Sequence, residues 1–390
     1  MKNKGLIALA FGSFAIGMTE FTMMGMLIDI AKDLKIDIPT AGHLIALYAL
    51  GVVVGAPVLV LYTSKYPPKK VLLYLMLAFV LFNLAFAIAP NNLSLMISRF
   101  LSGLPHGAFF GIGGVMATRL VDKSKAAQAL AIMFTGMTVA NLAGVPLGSY
   151  IGHHFSWRYT YLMISGFGLI TMLALYKWLP ALPNNSDGNI FKQLSYFKTK
   201  TAWIIIFMIA IGTGGLFAWI SYIAPLMTTI AKIDPSGVPV VMVLVGLGMV
   251  VGNLAGGKLC DSIGAQKAIV ISFGAMVVCL TLIYYTTHIT PLAYVLAFIT
   301  GAASFSCSPS LQLLLISTAK GSETMAAAAG QASFNLGNTL GAFLGGLPIT
   351  YGLAYNTPSL VGIGMAGTGV LLTLYYIKTN KEKAVLKAAA

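Results

Sequence analysis

The sequence predicts an all-α integral membrane protein with twelve transmembrane helices in two six-helix bundles. Three observations support this fold class. The 390 residues are 58% apolar and only 9% charged, the apolar residues form blocks, and the two halves repeat one pattern. A soluble domain has about a quarter of its residues charged, whereas about 20 apolar residues cross a bilayer core. The composition therefore excludes an ordinary water-soluble protein.

Turn residues and charges separate the apolar blocks and set the limits of the predicted helices. The predicted spans are 5–30, 39–62, 70–90, 93–118, 126–152, 159–179, 201–227, 237–259, 267–287, 290–317, 323–350 and 357–378. The first block is long enough to span and lacks a small-residue cleavage site, so we expect no cleaved signal peptide.

The basic residues predict the orientation of the chain. With the N-terminus inside, 19 of the 24 Lys and Arg residues lie on the cytoplasmic side and Arg99 lies within a span. The four outside are Lys32, Lys35, Arg158 and Lys232. The positive-inside rule therefore predicts that both termini are cytoplasmic. This topology also explains the net charge of +14, so we expect no nucleic-acid partner.

The longest hydrophilic stretch divides the chain near its middle. We expect a first bundle at 1–180, a cytoplasmic linker at 181–200, and a second bundle with a short basic tail at 201–390. Apolar residues recur at helical spacing within the linker, at Ile190, Phe191, Leu194 and Phe197. They indicate either an amphipathic helix on the membrane surface or a plain linker, and both interpretations stay open.

A shift of 197 residues aligns the two halves of the sequence. The aligned pairs are Gly51 with Gly248, Gly55 with Gly252, Lys70 with Lys267, Asn141 with Asn338, Gly144 with Gly341 and Gly148 with Gly345. Each half has six predicted spans, so the copies have the same orientation and form a parallel repeat. Such repeats commonly enclose a substrate site near the bilayer midplane.

Glycine, acidic and basic residues stand at the inner end of the eighth predicted span, in the segment Gly257-Lys-Leu-Cys-Asp261-Ser-Ile-Gly264-Ala-Gln-Lys267. The glycines allow tight turning, and Asp261 can cap a helix or pair with a base. This segment resembles the loop motif of the major facilitator superfamily, Gly-x-x-x-Asp-x-x-Gly followed by basic residues. The resemblance implies the two-bundle fold of that superfamily. In the equivalent loop of the first half, Ser64 replaces the aspartate and Pro67 replaces a glycine.

The fifth span carries small residues at three- and four-residue spacing between Gly136 and Gly152, with Pro146 among them. Small residues allow close helix contact, and the proline bends the helix. The pattern, followed by Trp157-Arg158, resembles the motif that marks proton-coupled exporters of the superfamily. Generic small-residue packing is the alternative.

Two charged residues lie inside predicted spans. Arg99 begins the run Arg99-Phe-Leu-Ser-Gly103-Leu-Pro-His-Gly107, which resembles a span-four motif whose arginine takes part in proton movement. An arginine in a span is paired or faces a wet cavity, unless it snorkels to the outer end about six residues away. Glu20 is the one carboxylate well inside any predicted span. At 1.5 Å per residue the two lie about 15 and 9 Å from the outer end.

Glu20 is therefore a candidate proton carrier next to Arg99, because a carboxylate between an apolar interior and a cation can alternate between charged and neutral forms. A structural ion pair that never exchanges its proton is the alternative. Under the 197-residue shift, Phe217 and Leu296 take the places of these two residues. Coupling residues are thus expected in the first half only.

Three further runs resemble one branch of the superfamily, the twelve-span drug:proton antiporters near the sugar-efflux, arabinose-efflux and chloramphenicol-resistance exporters. They are Gly17–Phe21, Ile38–Gly42 and Tyr48–Pro57, while Ile28 departs from that branch's usual proline. The resemblance implies a monomeric, proton-coupled exporter of a sugar, nucleoside or antibiotic in the cell inner membrane, without cofactor or metal. A proton-linked importer and an uncoupled facilitator are the alternatives.

Polar and aromatic residues within the spans are candidates for substrate contacts, and each could instead hold helices together. They are Thr19, Tyr48, His106, Asn141, Trp219, Ser221, Tyr222, Asn253, Gln312, Gln331, Asn335 and Asn338. The residues expected to serve conformational change are Gly136, Gly144, Pro146, Gly148, Gly257, Asp261, Gly264 and Lys267.

Enzyme and receptor functions fit the sequence less well. There is no phosphate-binding Gly-x-x-x-x-Gly-Lys-Ser/Thr loop, and no clustered nucleophile, histidine and carboxylate set. A receptor or scaffold would give no reason to place Glu20 and Arg99 within spans. We therefore expect a transporter and not an enzyme.

Overall fold

The computed structural model describes residues 2–36, 38–183, 190–234 and 237–389, and every regular element in those ranges is helical. The α-helices are α1 (Lys2–Gly25), α2 (Leu27–Leu34), α3 (Ile38–Thr63), α4 (Pro68–Ile88), α5 (Asn92–Arg119), α6 (Ala126–Val139), α7 (Val145–His154), α8 (Trp157–Trp178), α9 (Ile190–Ser195), α10 (Lys200–Gly212), α11 (Gly214–Ile220), α12 (Ile223–Pro225), α13 (Val238–Ile263), α14 (Ala265–Thr286), α15 (Thr290–Ser306), α16 (Ser308–Thr318), α17 (Glu323–Thr350) and α18 (Pro358–Ala389). The predicted all-α fold class is confirmed.

Within the described ranges, eleven helical segments are long and apolar enough to cross a membrane. They are Lys4–Met23, His43–Thr63, Pro68–Ile88, Asn92–Arg119, Lys123–His154, Trp157–Trp178, Lys200–Ile220, Val238–Ile263, Ala265–Thr286, Thr290–Thr318 and Pro358–Asn380. The helix at the predicted eleventh span, α17, is not among them, and its sequence contains five glycines, three threonines and two asparagines. The count of twelve spans and the orientation therefore stay predictions.

Contacts divide the chain into two compact units. The first unit comprises Met1–Ser195 with Ala319–Ala332, and the second comprises Tyr196–Thr318 with Ser333–Ala390. The beginning of α17 is thus grouped with the first unit, whereas the sequence-based division assigned all of 201–390 to the second bundle. Residues 184–189 of the linker lie outside the described ranges, and α9 follows them as a short helix. Its placement on the membrane surface stays a prediction.

The same close helix crossing occurs in each unit. A Cβ atom on Gly51 of α3 would overlap the carbonyl oxygen of Phe100 on α5. In the second unit, a Cβ atom on Gly248 of α13 would overlap the carbonyl oxygen of Phe298 on α15. The glycines four residues later in α3 and α13 show the same close approach. The sequence repeat is therefore a repeat of helix packing.

The predicted fifth span is built from α6, a π-helical stretch at Ala140–Gly144, and α7. Pro146 lies directly after the π-helical stretch. A proline inside an α-helix lacks one hydrogen bond and crowds the preceding turn, and a π-bulge is one way to accommodate that irregularity. Three predicted glycines of this span face α1: a Cβ on Gly136, Gly144 or Gly148 would overlap Ala10, Met18 or Thr22, respectively.

The glycine-containing loop motif of the second half joins α13 to α14. Gly264 lies between the two helices with a φ of 86°, a conformation that glycine adopts without strain. Gly257 is buried within α13, Asp261 lies in its last turn, and Lys267 is exposed in the first turn of α14. The residues are thus placed at a sharp helix–helix turn, and their part in conformational change stays a prediction.

The equivalent turn in the first half has no glycine. The Ser64 hydroxyl donates to the carbonyl of Leu61 (2.9 Å), and α4 begins at Pro68, directly after Pro67. Proline at the first position of a helix is favourable because its missing N–H would have no partner there. Serine and proline therefore form this turn at the positions where the family motif has aspartate and glycine.

The close crossing of α3 and α5 gives a stability prediction. Gly51→Ala should destabilise the protein by about 1–3 kcal/mol, because the added methyl group meets a backbone carbonyl that cannot rotate away. The thermal midpoint of the detergent-purified protein measures this effect. Gly166→Ala in α8 is the matched control, since nothing lies within 4 Å of a Cβ there. Equal midpoints for the two variants would contradict the close packing.

Candidate functional site

Arg99 lies at the centre of a polar cluster built from α1, α3 and α5. Its side chain is completely buried, which excludes snorkelling to a surface. The guanidinium donates from Nη2 to the Thr19 carbonyl (2.8 Å) and from Nη1 to the Thr19 hydroxyl (3.2 Å). It also donates from Nε to the Leu44 carbonyl (3.3 Å). These three acceptors are uncharged.

Aromatic rings surround the same guanidinium. Its central carbon lies 4.2 Å from the ring centroid of Tyr48, 5.8 Å from that of Phe86 and 5.9 Å from that of Tyr161. A cation over an aromatic face is attracted by the ring quadrupole, and the attraction is larger when water is excluded. The charge of Arg99 is thus stabilised by carbonyl groups and by rings.

Asn83, on α4, orients one of the Arg99 acceptors. The Thr19 hydroxyl donates to Asn83 Oδ1 (2.5 Å), so its oxygen lone pairs are left to accept from Arg99. The Asn83 side-chain amide in turn donates to the carbonyl of Phe79 (2.8 Å). Sequence reasoning missed Asn83, although it is the one side-chain amide in the predicted third span. An amide in such an apolar helix indicates an interhelical partner.

Glu20 follows Thr19 on α1 and is also buried, with 5% of its surface exposed. Its Oε2 atom has no hydrogen-bond partner in the described part of the chain. Glu20 and Arg99 interact electrostatically, yet the ion pairs among the described residues do not include one between them. Spans one and four are therefore adjacent, and Thr19 rather than Glu20 makes the hydrogen bonds to Arg99.

A second buried pair extends the cluster along α5. The Tyr48 hydroxyl lies 3.1 Å from His106 Nδ1, and both side chains are buried. The side chain of Gln331, from the part of α17 that belongs to the first unit, hydrogen-bonds to the same imidazole. Two predicted substrate contacts on α3 and α5 are thus in direct contact, with a third beside them.

The remaining substrate candidates have more varied surroundings. In the first unit, Asn141 donates to the Met137 carbonyl of its own helical segment (3.2 Å). In the second unit, the Tyr222 hydroxyl donates to the Ala342 carbonyl of α17 (2.8 Å). The other candidates in that unit are buried Trp219, Asn253, Gln312 and Asn335, half-buried Asn338, and Ser221, which bonds to its own helix. Their contact with substrate stays a prediction.

Two carboxylates of α2, Asp29 and Asp33, were not predicted from the sequence. Asp33 accepts from Trp157 Nε1 (3.0 Å) and pairs with Arg158 (3.4 Å), at the start of α8. Asp29, one turn earlier, pairs with His153 at the end of α7 (2.6 Å). Their four-residue spacing places both carboxylates on one face of α2, and that spacing is the signal that could have identified them. They fasten the end of the first helix to the fifth and sixth spans.

Comparisons with known proteins agree with this architecture. The model of the Major Facilitator Superfamily matches residues 9–346 and 220–390. The Putative transporter AraJ of Escherichia coli (strain K12) is 39% identical over 382 residues, covering 98% of this chain and 97% of that protein. The Probable sugar efflux transporter of Helicobacter pylori (strain ATCC 700392 / 26695) is 28% identical over 375 residues, covering 96% and 94%.

A solved structure shows the same fold. The crystal structure of the E. coli Fucose:proton symporter, FucP, superimposes with a TM-score of 0.76 at 13% sequence identity, covering 95% of this chain and 98% of that one. At this identity the likeness concerns the fold alone. The family match and the relative at 39% identity cover nearly the whole chain. The chain therefore belongs to the Major Facilitator Superfamily and is a multi-pass membrane transporter, not an enzyme.

Proposed function

We propose that the protein exports a small polar or amphipathic solute in exchange for protons, with Glu20 as the proton carrier. The observation that carries the proposal is a buried carboxyl group with an unpartnered oxygen, next to an arginine that is held by neutral groups. A sugar, a nucleoside or an antibiotic would be the solute. A relative that is named a sugar efflux transporter supports export of this class.

The absence of an ion pair between Glu20 and Arg99 is what makes the carboxyl group suitable. Breaking a buried ion pair leaves an uncompensated charge and is strongly unfavourable. Here a proton can join Glu20 without removing a hydrogen bond from Arg99, whose acceptors belong to Thr19 and Leu44. The fixed charge of Arg99 then favours return of the carboxyl group to its charged form.

The proposed cycle alternates between the two sides of the membrane. Glu20 takes a proton from outside, and the solute leaves outward. The inward-facing state then releases the proton and accepts a new solute molecule. Such exchange requires that proton and solute disfavour each other's binding, a coupling that is reciprocal by thermodynamic necessity.

A proton-linked importer is the second candidate, because the fold neighbour FucP is a fucose:proton symporter. Its 13% identity carries the fold only. The glycine and proline pattern of the fifth span favours the exporter, because it resembles the motif of proton-coupled exporters. An uncoupled facilitator moves no proton, so it would not need a buried carboxyl group such as that of Glu20.

The first experiment measures release of protons from acidified inside-out vesicles on addition of sugars, nucleosides, phenicols and cationic dyes. One solute class should dissipate the pH gradient with wild-type protein, and Glu20→Gln should reduce the signal to that of empty vesicles, because an amide cannot carry the proton. Glu323→Gln is the matched control, since Glu323 accepts from a backbone N–H at the start of α17. Radiolabelled solute flux without any pH change would contradict proton coupling and would support an uncoupled facilitator.

The geometry of Arg99 gives a second prediction. Arg99→Lys keeps the charge, but a single ammonium group cannot replace a planar fork that bonds to both α1 and α3. We expect proton-coupled transport to fall by about tenfold or more. Arg119→Lys at the exposed end of the same helix, where Nη1 donates to the Pro183 carbonyl (3.3 Å), should transport like wild type. Full activity of Arg99→Lys would show that charge alone suffices.

Thr19 and Thr22 form a matched pair for a third prediction. Both are fully buried on α1, but Thr19 bonds to Asn83 and Arg99, whereas Thr22 Oγ1 has no partner in the described ranges. Thr19→Val leaves two buried polar atoms unpartnered and should destabilise the protein by about 1–3 kcal/mol, with an altered pH dependence of transport. Thr22→Val should leave the stability and the pH dependence of transport nearly unchanged. Indistinguishable thermal midpoints and pH profiles would show that the Thr19 hydroxyl does not position Arg99.

A further inference from the structure

An apolar cavity of about 400 Å³ lies between α1, α6 and α8 in the first unit. Much of its wall is formed by Phe11 and Phe14 of α1, Val139 of α6, and Phe167 and Ile170 of α8. Its volume lies in the range of sites that bind small molecules in proteins. The proposed exchange of protons and solute assigns this cavity no role.

The polar groups of the wall are already used within their own helices. The two hydroxyl groups that line the cavity belong to Thr135 and Thr171. The Thr135 hydroxyl donates to the Ala131 carbonyl (2.8 Å), and the Thr171 hydroxyl donates to the Phe167 carbonyl (2.9 Å). A polar solute would lose hydrogen bonds to water on entering such a cavity, which is unfavourable. The lining therefore suits a hydrocarbon chain.

The cavity is open on the side that two exposed residues form. Phe11 is 39% exposed and Ile170 is 51% exposed. They belong to Lys4–Met23 and Trp157–Trp178, two helical segments long and apolar enough to cross a membrane. Lipid hydrocarbon surrounds the exposed residues of membrane spans. An acyl chain of a lipid can therefore enter this cavity without passing through water.

Two lysines lie on the helix faces that form the open side. On α1, Lys4 precedes Phe11 by seven residues, and on α8, Lys177 follows Ile170 by seven residues. Seven residues make about two helical turns, so each lysine lies on the face of its cavity residue and about 10 Å further along the helix. Both lysines are exposed.

The beginning of α1 adjoins the end of α8, which brings the two lysines to the same end of the cavity. A Cβ atom on Gly5 would lie 3.5 Å from the Leu179 side chain. The Trp178 ring contacts the Phe11 ring, with 6.1 Å between their centroids. Tryptophan is enriched where the hydrocarbon core of a bilayer meets the lipid headgroups. We therefore expect this end of the cavity at the depth of the headgroups.

The charge at this end suits an anionic headgroup. Basic residues beside membrane spans attract the phosphates of anionic lipids. The end of α5 is also close, since a Cβ atom on Gly5 would lie 3.0 Å from the Leu120 side chain. The carboxylate that follows α5, Asp122, is accompanied by Lys123 and Lys125. It therefore does not reverse the positive charge there.

We propose that this cavity binds one acyl chain of an anionic phospholipid, whose phosphate group is held by Lys4 and Lys177. The apolar wall accommodates the chain, and the lysines complement the charge of the headgroup. The bound chain would also contact Gly136, which lines the cavity and packs against α1. The lipid would thus be a partner of the contact between α1 and the fifth span.

Native mass spectrometry of the detergent-purified protein tests the headgroup contact. In titrations with dioleoyl phosphatidylglycerol and dioleoyl phosphatidylcholine, wild type should bind one phosphatidylglycerol more tightly than phosphatidylcholine. Lys177→Gln should weaken this binding by about fivefold, the effect expected of one lysine near a lipid phosphate. Lys378→Gln, an exposed lysine near the end of the last predicted span, is the matched control and should bind like wild type. Equal affinity of wild type for the two lipids would overturn the proposal.

A second pair of variants tests the cavity itself. Ile170→Trp places a larger side chain at the cavity wall, whereas Leu173→Trp places the same ring at a position of α8 that is 61% exposed and does not line the cavity. Ile170→Trp should lose the tightly bound phosphatidylglycerol, and Leu173→Trp should keep it. Thermal midpoints near that of wild type show that both variants are folded. Retention of the lipid by a folded Ile170→Trp would overturn the proposal.

Wild-type protein tests the need for the chain without any substitution. Glycerol 3-phosphate has the phosphate group without the acyl chains. A large excess should leave the bound phosphatidylglycerol in place, because the apolar contacts of the chain are absent from the competitor. Displacement of the lipid by glycerol 3-phosphate would show a phosphate site that does not use the cavity, which contradicts the proposal.

Discussion

A cation without access to water must be solvated by the protein, and the way Arg99 is solvated determines the arrangement around it. Its carbonyl acceptors belong to Thr19 on α1 and Leu44 on α3, so both helices must approach α5 closely. The glycines of α3, beginning with Gly51, permit that approach by allowing backbone to pack on backbone. Loss of these acceptors would leave a buried charge unsatisfied, which is among the most unfavourable changes in an apolar interior. The packing of three helices therefore depends on one guanidinium.

Solvation of Arg99 by neutral groups also fits the proposed role of Glu20 in proton exchange. A direct ion pair with Arg99 would stabilise the resting cluster but would have to break each time the carboxyl group gained a proton. Since Thr19, Leu44 and the Tyr48 ring already stabilise the cation, Glu20 experiences its charge without being bound to it. The same Tyr48 side chain contacts His106, so a predicted substrate contact and the proposed proton carrier have one arginine as a common neighbour. In the proposed exchange, proton and solute would influence each other through these contacts within one unit.

The sequence predicted the features that follow from composition and periodicity. The apolar blocks indicated an all-α membrane protein, and the 197-residue repeat anticipated the twin glycine crossings. Counting along the helices placed Glu20 and Arg99 at depths that differ by no more than a side chain can reach. It did not reveal the partners of Arg99, because backbone carbonyls leave no signature in residue identity. Asn83 and the α2 carboxylates were missed for a related reason, since their partners lie far away in sequence. The grouping of Ala319–Ala332 with the first unit also depends on tertiary contacts that no local pattern encodes.

Helix α1 contacts the arginine cluster, the fifth span and the short helix α2. On one side, its Thr19 holds Arg99, and along its length the glycines of the fifth span fit against it without intervening side chains. At its end the helix breaks near Met26, and the following α2 is fastened to α7 and α8 through Asp29 and Asp33. These contacts tie α1 to α5, to the fifth span and, through α2, to α7 and α8. If α1 moves when the charge of Glu20 changes, as the proposed cycle requires, the glycine contacts would carry that movement to the fifth span, whose π-helical stretch lies directly before Pro146.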